Sequence, residues 1–577
     1  MRNAEIADAL SELATLYELD GANRYRVLAY REAARVVRDT PVSVEELARA
    51  GRATELQGIG DTLQSKIVSL LDEGEIPSAA KLKAKYPPTL VEVTRLPGVG
   101  AKTARRLHDE LGIASLEDLR EAAEAQRLRG VKGLGGKVEQ NVLAALDRLA
   151  EEGADERRLL SEVRAIAEEL AAALRKHPAC DRVEIAGSAR RWAETCKDVD
   201  LIATGDDPGA LGLALTEHPL AAAAGSSGEA GARITTHNGV SVDLRVSQPD
   251  AFGNLLQHFT GSAEHNVKLR ERALRMGLSI SEHGVSTLDG DSVKLCATET
   301  EVYERLELPY IEPELREGGD ELAAAAEGRL PELVSLDEVR GDLHCHTTLS
   351  DGHNTLEEMV EAARAQGRSY LAVTDHSASH GFGNDVQPDA LRRRIEEVRT
   401  LDRRLSGFKL LAGSEVNILP DGSLDYDDEL LAELDWVVAS VHSSFRTSKA
   451  KMTARIAAAM EHPHVDCIGH LTGRLILSRP PYDIDVERVV EKAAETGTML
   501  EVNGNPRRRD ISEQNARLAA EAGAPIVLNT DAHRVETLEN MRYAVATARR
   551  AWLSAEQVAN TRPWRSFARL RKRSRPG

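Results

Sequence analysis

Gly341-Asp342-Leu343-His344-Cys345-His346-Thr347-Thr348-Leu349-Ser350-Asp351-Gly352 alternates apolar and polar residues and then breaks at a turn. The alternation predicts a strand, on which successive side chains point to opposite faces. His344 and His346 therefore share one face, and Leu343 and Cys345 the other. Asp351 follows in the turn, just ahead of a glycine. Two imidazoles with a carboxylate folding back over them form a metal-binding geometry; a pair of surface histidines beside a turn is the alternative.

The stretches that follow decide between these. Tyr370-Leu371-Ala372-Val373-Thr374 runs into Asp375 and His376, and Leu410-Leu411-Ala412-Gly413-Ser414 into Glu415. Residues 436–441 reach His442, Cys467-Ile468-Gly469 reaches His470, and residues 525–530 reach Asp531 and His533. Each apolar run reads as a strand and helical periods separate them, the pattern of a (β/α) barrel. In such barrels the C-terminal strand ends meet at one catalytic face. The donors are all nitrogen or oxygen, which suits Mn²⁺, Zn²⁺ or Fe²⁺.

The chain has 577 residues, too many for one core, with 42% hydrophobic and 29% charged residues. No apolar run reaches the roughly 18 residues of a membrane span, and no signal-peptide core is present at the start. The five cysteines (Cys180, Cys196, Cys296, Cys345, Cys467) form no CxxC, which fits a reducing cytoplasm and excludes a cysteine-based zinc finger. Lys+Arg 74 against Asp+Glu 93 leaves a net charge of -19. That balance argues against nucleic acid as a partner only weakly, because a local basic groove is what binds phosphates. The basic run at 565–573 reads as a solvated tail.

The first 152 residues carry helical periods interrupted by three similar turns: Leu56-Gln57-Gly58-Ile59-Gly60, Leu96-Pro97-Gly98-Val99-Gly100 and Leu128-Arg129-Gly130-Val131-Lys132-Gly133. Backbone N–H groups exposed by such a turn at a helix start can hold a phosphate. Simple helix packing explains one turn; three look like helix-hairpin-helix elements that grip a DNA backbone, with Gly58, Gly60, Lys66, Gly98, Gly100 and Lys102 as contacts.

From about Arg182 strands take over, in an α+β pattern. A Gly187-Ser188 turn follows the first, and Asp198 and Asp200 share a face of the next. Asp243 sits in a further apolar strand, where a carboxylate is costly unless paired or metal-bound. Three converging carboxylates can hold two Mg²⁺ ions for in-line phosphoryl transfer.

Gly187-Ser188-Ala189-Arg190-Arg191, Asp198-Val199-Asp200, Asp243-Leu244-Arg245 and His258-Phe259-Thr260-Gly261-Ser262 together resemble the palm and thumb of family X DNA polymerases. The resemblance implies that Asp198, Asp200 and Asp243 bind two Mg²⁺ or Mn²⁺ ions, and that Asp243 activates a primer 3′-hydroxyl. It places Gly187, Ser188 and Arg191 on the triphosphate, Phe259 and Gly261 against the sugar, and Asn266 and Arg270 near the nascent pair. His258 stands where that family has Tyr, and Lys197 where Gly is common. Gly58-Ile59-Gly60 with Lys66 matches the hairpin of the family's lyase members, though Thr62 stands where a second lysine often lies.

The C-terminal set resembles the PHP (polymerase and histidinol phosphatase) domain, a distorted (β/α)7 barrel with three metals. The resemblance puts His344, His346, Glu415 and Asp531 on one metal. Glu415, His442 and His470 take a second, and Asp351, His376 and His533 a third. Arg474 and Arg507 are expected as phosphate clamps or as plain surface arginines.

The expected architecture is multidomain: a lyase-like helical domain (1–85), helix-hairpin-helix fingers (86–152), an α+β nucleotidyltransferase palm (153–250), a thumb (251–315), a linker (316–340) and a PHP barrel (341–577). The expected activity is dNTP addition to a 3′ end in gapped or nicked DNA, with a 3′-5′ exonuclease or abasic endonuclease in the barrel, by a monomer in the bacterial cytoplasm. Two rivals remain open: a DNA-repair phosphoesterase whose polymerase half only holds DNA, and a small-molecule phosphatase.

Overall fold

Seven short parallel strands form the C-terminal sheet and neighbour one another in chain order: Gly341–Asp342, Tyr370–Val373, Lys409–Asn417, Trp436–Ser440, Cys467–Ile468, Met499–Asn503 and Ile526–Asn529. A parallel bridge between Cys345 and Ala532 brings the last strand back to the first, so the sheet curls into a nearly closed barrel. Tyr370, Leu411, Trp436, Val438, Met499 and Val527 fill its interior. Leu371, Val373, Leu410, Val437, Leu500 and Leu528 pack in the cluster that includes the surrounding helices. Burial on both faces is why these strands read as continuous apolar runs.

The computed structural model describes all residues except 95, 97–98, 132–133, 152–156, 229, 289–291, 380, 382–383 and 573–577. Gly98 and Lys132-Gly133, expected DNA contacts or turn residues, lie outside the described residues. The chain forms two compact units: Met1–Arg157, Glu162–Ile185 and Lys197–Pro249 in one; Arg158–Ser161, Ala186–Cys196 and Asp250–Gly577 in the other.

In the first unit, helices such as Asn3–Leu19, Arg24–Asp39, Asp61–Glu73 and Ala101–Leu111 share one apolar core. The three expected turns have the same local bond: the amides of Ile59, Val99 and Val131 each donate to the Leu carbonyl three residues back, all at 3.0 Å. Each turn also buries that Ile or Val. Gly58 needs its left-handed backbone, φ +88°, to make the turn. A five-stranded sheet follows in the order Arg182–Ile185, Asp198–Thr204, Ser241–Ser247, Gly231–Thr236, Ala221–Gly228; Asp198–Thr204 and Ser241–Ser247 run parallel.

Three expectations need correcting, all in the second unit. The strand opening the barrel ends at Asp342. The Leu343 amide donates to Asn529 Oδ1 (3.0 Å) instead of a ladder carbonyl, and strict alternation stops there. Leu343 joins the interior layer and Cys345 the outer one, while His344 and His346 are both fully buried.

The segment 316–340 is no open linker. Arg316, Glu321 and Val334 are fully buried, and the Val334 amide donates to the Leu553 carbonyl (2.9 Å). Arg316 Nη1 donates to Glu299 Oε1 (2.5 Å), and its guanidinium lies 5.1 Å from the ring centroid of Tyr303. Burial alone would raise the Glu299 carboxyl; Arg316 and Arg190 outweigh it and hold it down to about 2.

The basic run is not a solvated tail over its described part. Phe567 is fully buried and stacks on Tyr370 (5.3 Å between centroids) at the N-terminal end of the barrel. Arg571 Nη1 then donates to the Asp435 carbonyl (2.8 Å). Aromatic residues between the basic ones drive this packing.

Arg316→Met is expected to destabilise the second unit by about 3 kcal/mol, since it leaves Glu299 short of a buried partner. Chemical denaturation followed by intrinsic fluorescence measures this. A shift of similar size in Arg316→Met with Glu299→Gln would mean that packing, not charge pairing, sets the loss.

Candidate functional site

The polar residues that end the barrel strands converge on Glu415, which is fully buried near the end of the strand Lys409–Asn417. Its Oε1 lies 2.9 Å from His470 Nε2 and 3.2 Å from His442 Nε2. Its Oε2 lies 2.9 Å from His376 Nδ1, 3.4 Å from His344 Nε2 and 3.6 Å from His346 Nε2. Asp531 Oδ1 faces the same pair of imidazoles, 3.2 Å from His346 Nε2 and 3.6 Å from His344 Nε2. Asp351 closes the far side, with Oδ2 3.3 Å from His533 Nε2 and 3.5 Å from His376 Nε2.

Three groups of ligand atoms lie within 4.8 Å of one another: His346, Asp351, His376 and His533; His344, His346 and Asp531; His376, Glu415 and His442. The structure thus brings together all nine residues named from the sequence. It also sets His346 beside Asp351, and His376 beside Glu415, contacts that the expected sharing did not include. Nε2 of His344, both ring nitrogens of His346 and Oε2 of Glu415 are buried without a well-formed hydrogen bond. Buried polar atoms are rarely left so, and nitrogen and oxygen donors in this density fit divalent cations.

A surrounding layer fixes which nitrogen each histidine presents. His344 Nδ1 meets Glu501 Oε1 at 2.7 Å, His442 Nδ1 meets Asn417 Oδ1 at 2.6 Å, and His533 Nδ1 meets the Asp531 carbonyl at 2.9 Å. Each contact assigns the proton to Nδ1 and turns a bare Nε2 toward a carboxylate. Glu501 is fully buried and takes three more donors: the His470 amide (2.8 Å), Asn503 Nδ2 (3.0 Å) and Asn529 Nδ2 (2.9 Å).

The charges are strongly coupled. Burial pushes His346 down to about 4, aided by His533 and His376. Burial would also lower His376, but Glu415 and Asp351 outweigh it and raise it to about 10. Despite its own burial, Glu415 is held well below the carboxylate range by His442, His344 and His376.

Sequence reasoning missed Glu501 and Asn503 because the strand Met499–Asn503 went unread. Its signal was present, as a carboxylate inside the apolar run Met499-Leu500-Glu501-Val502. Arg474, expected as a phosphate clamp, is committed elsewhere: it pairs with Glu194 and donates Nε to the Arg508 carbonyl (3.0 Å). Arg507 is exposed. The arginine beside the cluster is Arg508, with Nε 3.4 Å from Asp531 Oδ2.

In the first unit, Asp200 and Asp243 are direct partners across the parallel pair, with Asp198 two residues upstream of Asp200. Val199, Leu201, Val242 and Leu244 are fully buried, which leaves the aspartates on the opposite face. Asp243 accepts a bond from Arg233 Nε (3.1 Å) and pairs with Arg245 Nε (3.1 Å). Lys66 donates to Ser78 Oγ (2.8 Å), while Gly58, Gly60, Gly100 and Lys102 sit at or beside helix starts.

In the second unit, Gly187 and Ser188 open the short helix Gly187–Arg190. Arg191 Nη1 donates to the Thr260 carbonyl (2.5 Å) and its Nε to Glu317 Oε1 (3.1 Å). Gly261, at φ +65°, would place a Cβ 3.3 Å from Arg191 Nη1. Asn266 Nδ2 donates to the His258 carbonyl (2.8 Å); Phe259 is half-buried and Arg270 exposed.

Residues 1–76 and 90–148 match helix-hairpin-helix family models, 255–317 the DNA polymerase beta thumb and 342–505 the PHP domain. Over 576 residues, 100% of both proteins, the chain is 37% identical to the DNA polymerase/3'-5' exonuclease PolX of Bacillus subtilis. It is 30% identical over 230 residues to a probable phosphatase of Syntrophotalea carbinolica, covering 38% of this chain and 90% of that protein. A probable phosphatase of Thermoanaerobacter sp. is 32% identical over 239 residues, covering 38% and 89%.

Glu501→Gln keeps the shape but frees the His344 ring. Phosphoester hydrolysis is expected to fall about 10–100-fold at limiting Mn²⁺ and to recover partly at excess. A metal titration of hydrolysis reads this out, and an unchanged half-saturation would remove Glu501 from the site.

Proposed function

We propose a division of labour within this chain, which belongs to the family X DNA polymerases with a C-terminal PHP domain. The chain is a DNA-repair polymerase with a phosphoester-hydrolysing barrel. In our reading the hairpins of 1–85 and 86–152 hold gapped or nicked DNA through Gly58, Gly60, Gly98, Gly100, Lys66 and Lys102. The palm (153–250) and thumb (251–315) add dNTPs to a 3′ end, and the barrel (341–577) trims it. We place this monomer in the bacterial cytoplasm; no helix among the described residues is long and apolar enough to cross a membrane.

Asp198, Asp200 and Asp243 would hold two Mg²⁺ or Mn²⁺ ions. The nine barrel residues His344, His346, Asp351, His376, Glu415, His442, His470, Asp531 and His533 would hold three of Mn²⁺, Zn²⁺ or Fe²⁺. When bound, these ions stabilise charge on the phosphoryl oxygens and raise the acidity of the attacking hydroxyl or water. The protein does the rest. Asp243 accepts the primer hydroxyl proton once its carboxylate is released from Arg233. Ser188 and Arg191 receive the triphosphate, and Phe259, Gly261, Asn266 and Arg270 face the sugar and base. In the barrel, Glu501 and Asn417 keep His344 and His442 in one tautomer, and Arg508 offers a cation to the phosphate beside Asp531.

The observation that carries the hydrolytic half is a buried carboxylate met by five imidazoles, Glu415. For synthesis it is the side-by-side register of Asp200 and Asp243. The engagement of Asp243 by two arginines favours a second reading, a hydrolase whose polymerase half only grips DNA.

A gapped duplex with a 5′-labelled primer, with and without dNTPs, scores both sites at once. Asp198→Ala is expected to abolish extension and spare shortening; His344→Ala should do the reverse. Equal loss of both activities in both variants would sink the two-site model. No incorporation by the unaltered protein under Mg²⁺ or Mn²⁺ would establish the second reading.

A further inference from the structure

Three arginines of the barrel domain reach one short stretch of the polymerase half. Arg509 is fully buried just beyond the strand Met499–Asn503, and its Nη1 donates to the Trp192 carbonyl (2.8 Å) and its Nε to Thr547 Oγ1 (2.9 Å). Arg550, at the end of the helix Met541–Arg550, donates Nη1 to the Arg191 carbonyl (2.9 Å) and pairs with Glu317 and Glu513. Arg474, beyond Cys467–Ile468, forms a two-pronged pair with Glu194, one prong at 3.2 Å and a shorter second from Nη2 to Oε1. The Trp192 ring meets Tyr543 edge-on at 5.8 Å. Residues 191, 192 and 194 are thus each fastened to the barrel domain. They directly follow the short helix Gly187–Arg190, whose turn they continue.

These contacts are well built for holding a backbone still. Arg509 presents donors in a rigid plane and has lost its hydration, so the carbonyl it meets has little freedom. The Arg474–Glu194 pair is about three-quarters or more buried on each side, 16% and 24% exposed, where a two-pronged geometry adds direction as well as attraction. Arg474 also donates to the carbonyls of Arg508 and Arg509, so one side chain ties the loop 504–511 to Glu194. That loop carries Arg508, which faces the barrel ligand Asp531.

We propose that Arg474 and Arg509 are positioning residues for DNA synthesis: through Glu194 and the Trp192 carbonyl, the barrel holds the turn 187–194 in the shape that receives the triphosphate of the incoming nucleotide. The proposal rests on reading Ser188 and Arg191 as triphosphate contacts. Neither arginine touches substrate; both act through the turn. The barrel then serves synthesis independently of its own hydrolytic chemistry.

The test is steady-state gap filling by the full-length protein, with the KM for dNTP and kcat read separately and 3′-end shortening measured alongside. Glu194→Arg, which sets two cations against each other, is expected to raise the KM for dNTP about tenfold with kcat and shortening within about twofold. Glu194→Gln should raise it about threefold, and Glu194→Asp, which keeps the charge, should stay near the unaltered protein. If KM is unmoved in Glu194→Arg and Glu194→Gln while Ser188→Ala raises it, the coupling is overturned and the triphosphate reading stands. If Ser188→Ala also leaves KM unmoved, both fall together. A matching loss of kcat, shortening and melting temperature across the Glu194 variants would show general unfolding and overturn the positioning role.

Discussion

A carboxylate with no access to water must be met by positive charge, and Glu415 is such a group at the centre of the barrel. Five imidazoles face its two oxygens, and they arrive from the ends of three separate strands and from the irregular segment that opens the sheet. This clustering is affordable only because the strands are parallel and in chain order, so that every C-terminal end lies on one side. The layer behind the ligands follows from the same constraint. Glu501 adds a second buried negative charge, and four donors surround it.

Aromatic side chains close the opposite end of the barrel. Phe567 and Trp564 pack against Tyr370 at the strand starts, and apolar side chains such as Leu411 and Val438 lie between. Segment 316–340 runs past the outside as a packed strap, with Arg316 neutralising Glu299 at one end and Val334 bonded to Leu553 at the other. Glu321, buried within it, meets His265 at 2.7 Å, and Glu314, just ahead of it, meets Arg549 at 2.7 Å.

The clustered histidines and carboxylates were legible because most of them end or closely follow an apolar run, and that pattern survives in one dimension. The palm aspartates were legible for the same reason, and the strands Asp198–Thr204 and Ser241–Ser247 fall where period-two burial put them. What failed did so where side chains overrule local pattern. The strand at Gly341 stops early because Asn529, far along the chain, captures the Leu343 amide. Segment 316–340 reads as Glu, Ala and Gly, yet Arg316, Glu321, Val334 and Val339 within it are buried, while most of its other charged residues face solvent. The roles of Arg474 and Arg509 could not be read at all, since Glu194 and Trp192 lie about 300 residues away in sequence, at separations of 280 and 317.

Asn560 holds the seam of the barrel. Its amide nitrogen donates to the carbonyls of Gly341 (2.8 Å) and Leu528 (2.6 Å), and its oxygen accepts from the Leu528 amide (3.0 Å). One side chain therefore clasps the first and last strands, and it does so across 219 residues of intervening chain. During synthesis the amino-terminal helices can pack as they emerge, but the seam lacks this clasp until Asn560 has been made. Because Arg509 and Arg550 belong to that same late-closing body, the turn that follows Gly187 acquires its final shape long after its own residues have left the ribosome. Maturation of the chain thus runs against the order of its sequence: an early segment waits on a late one.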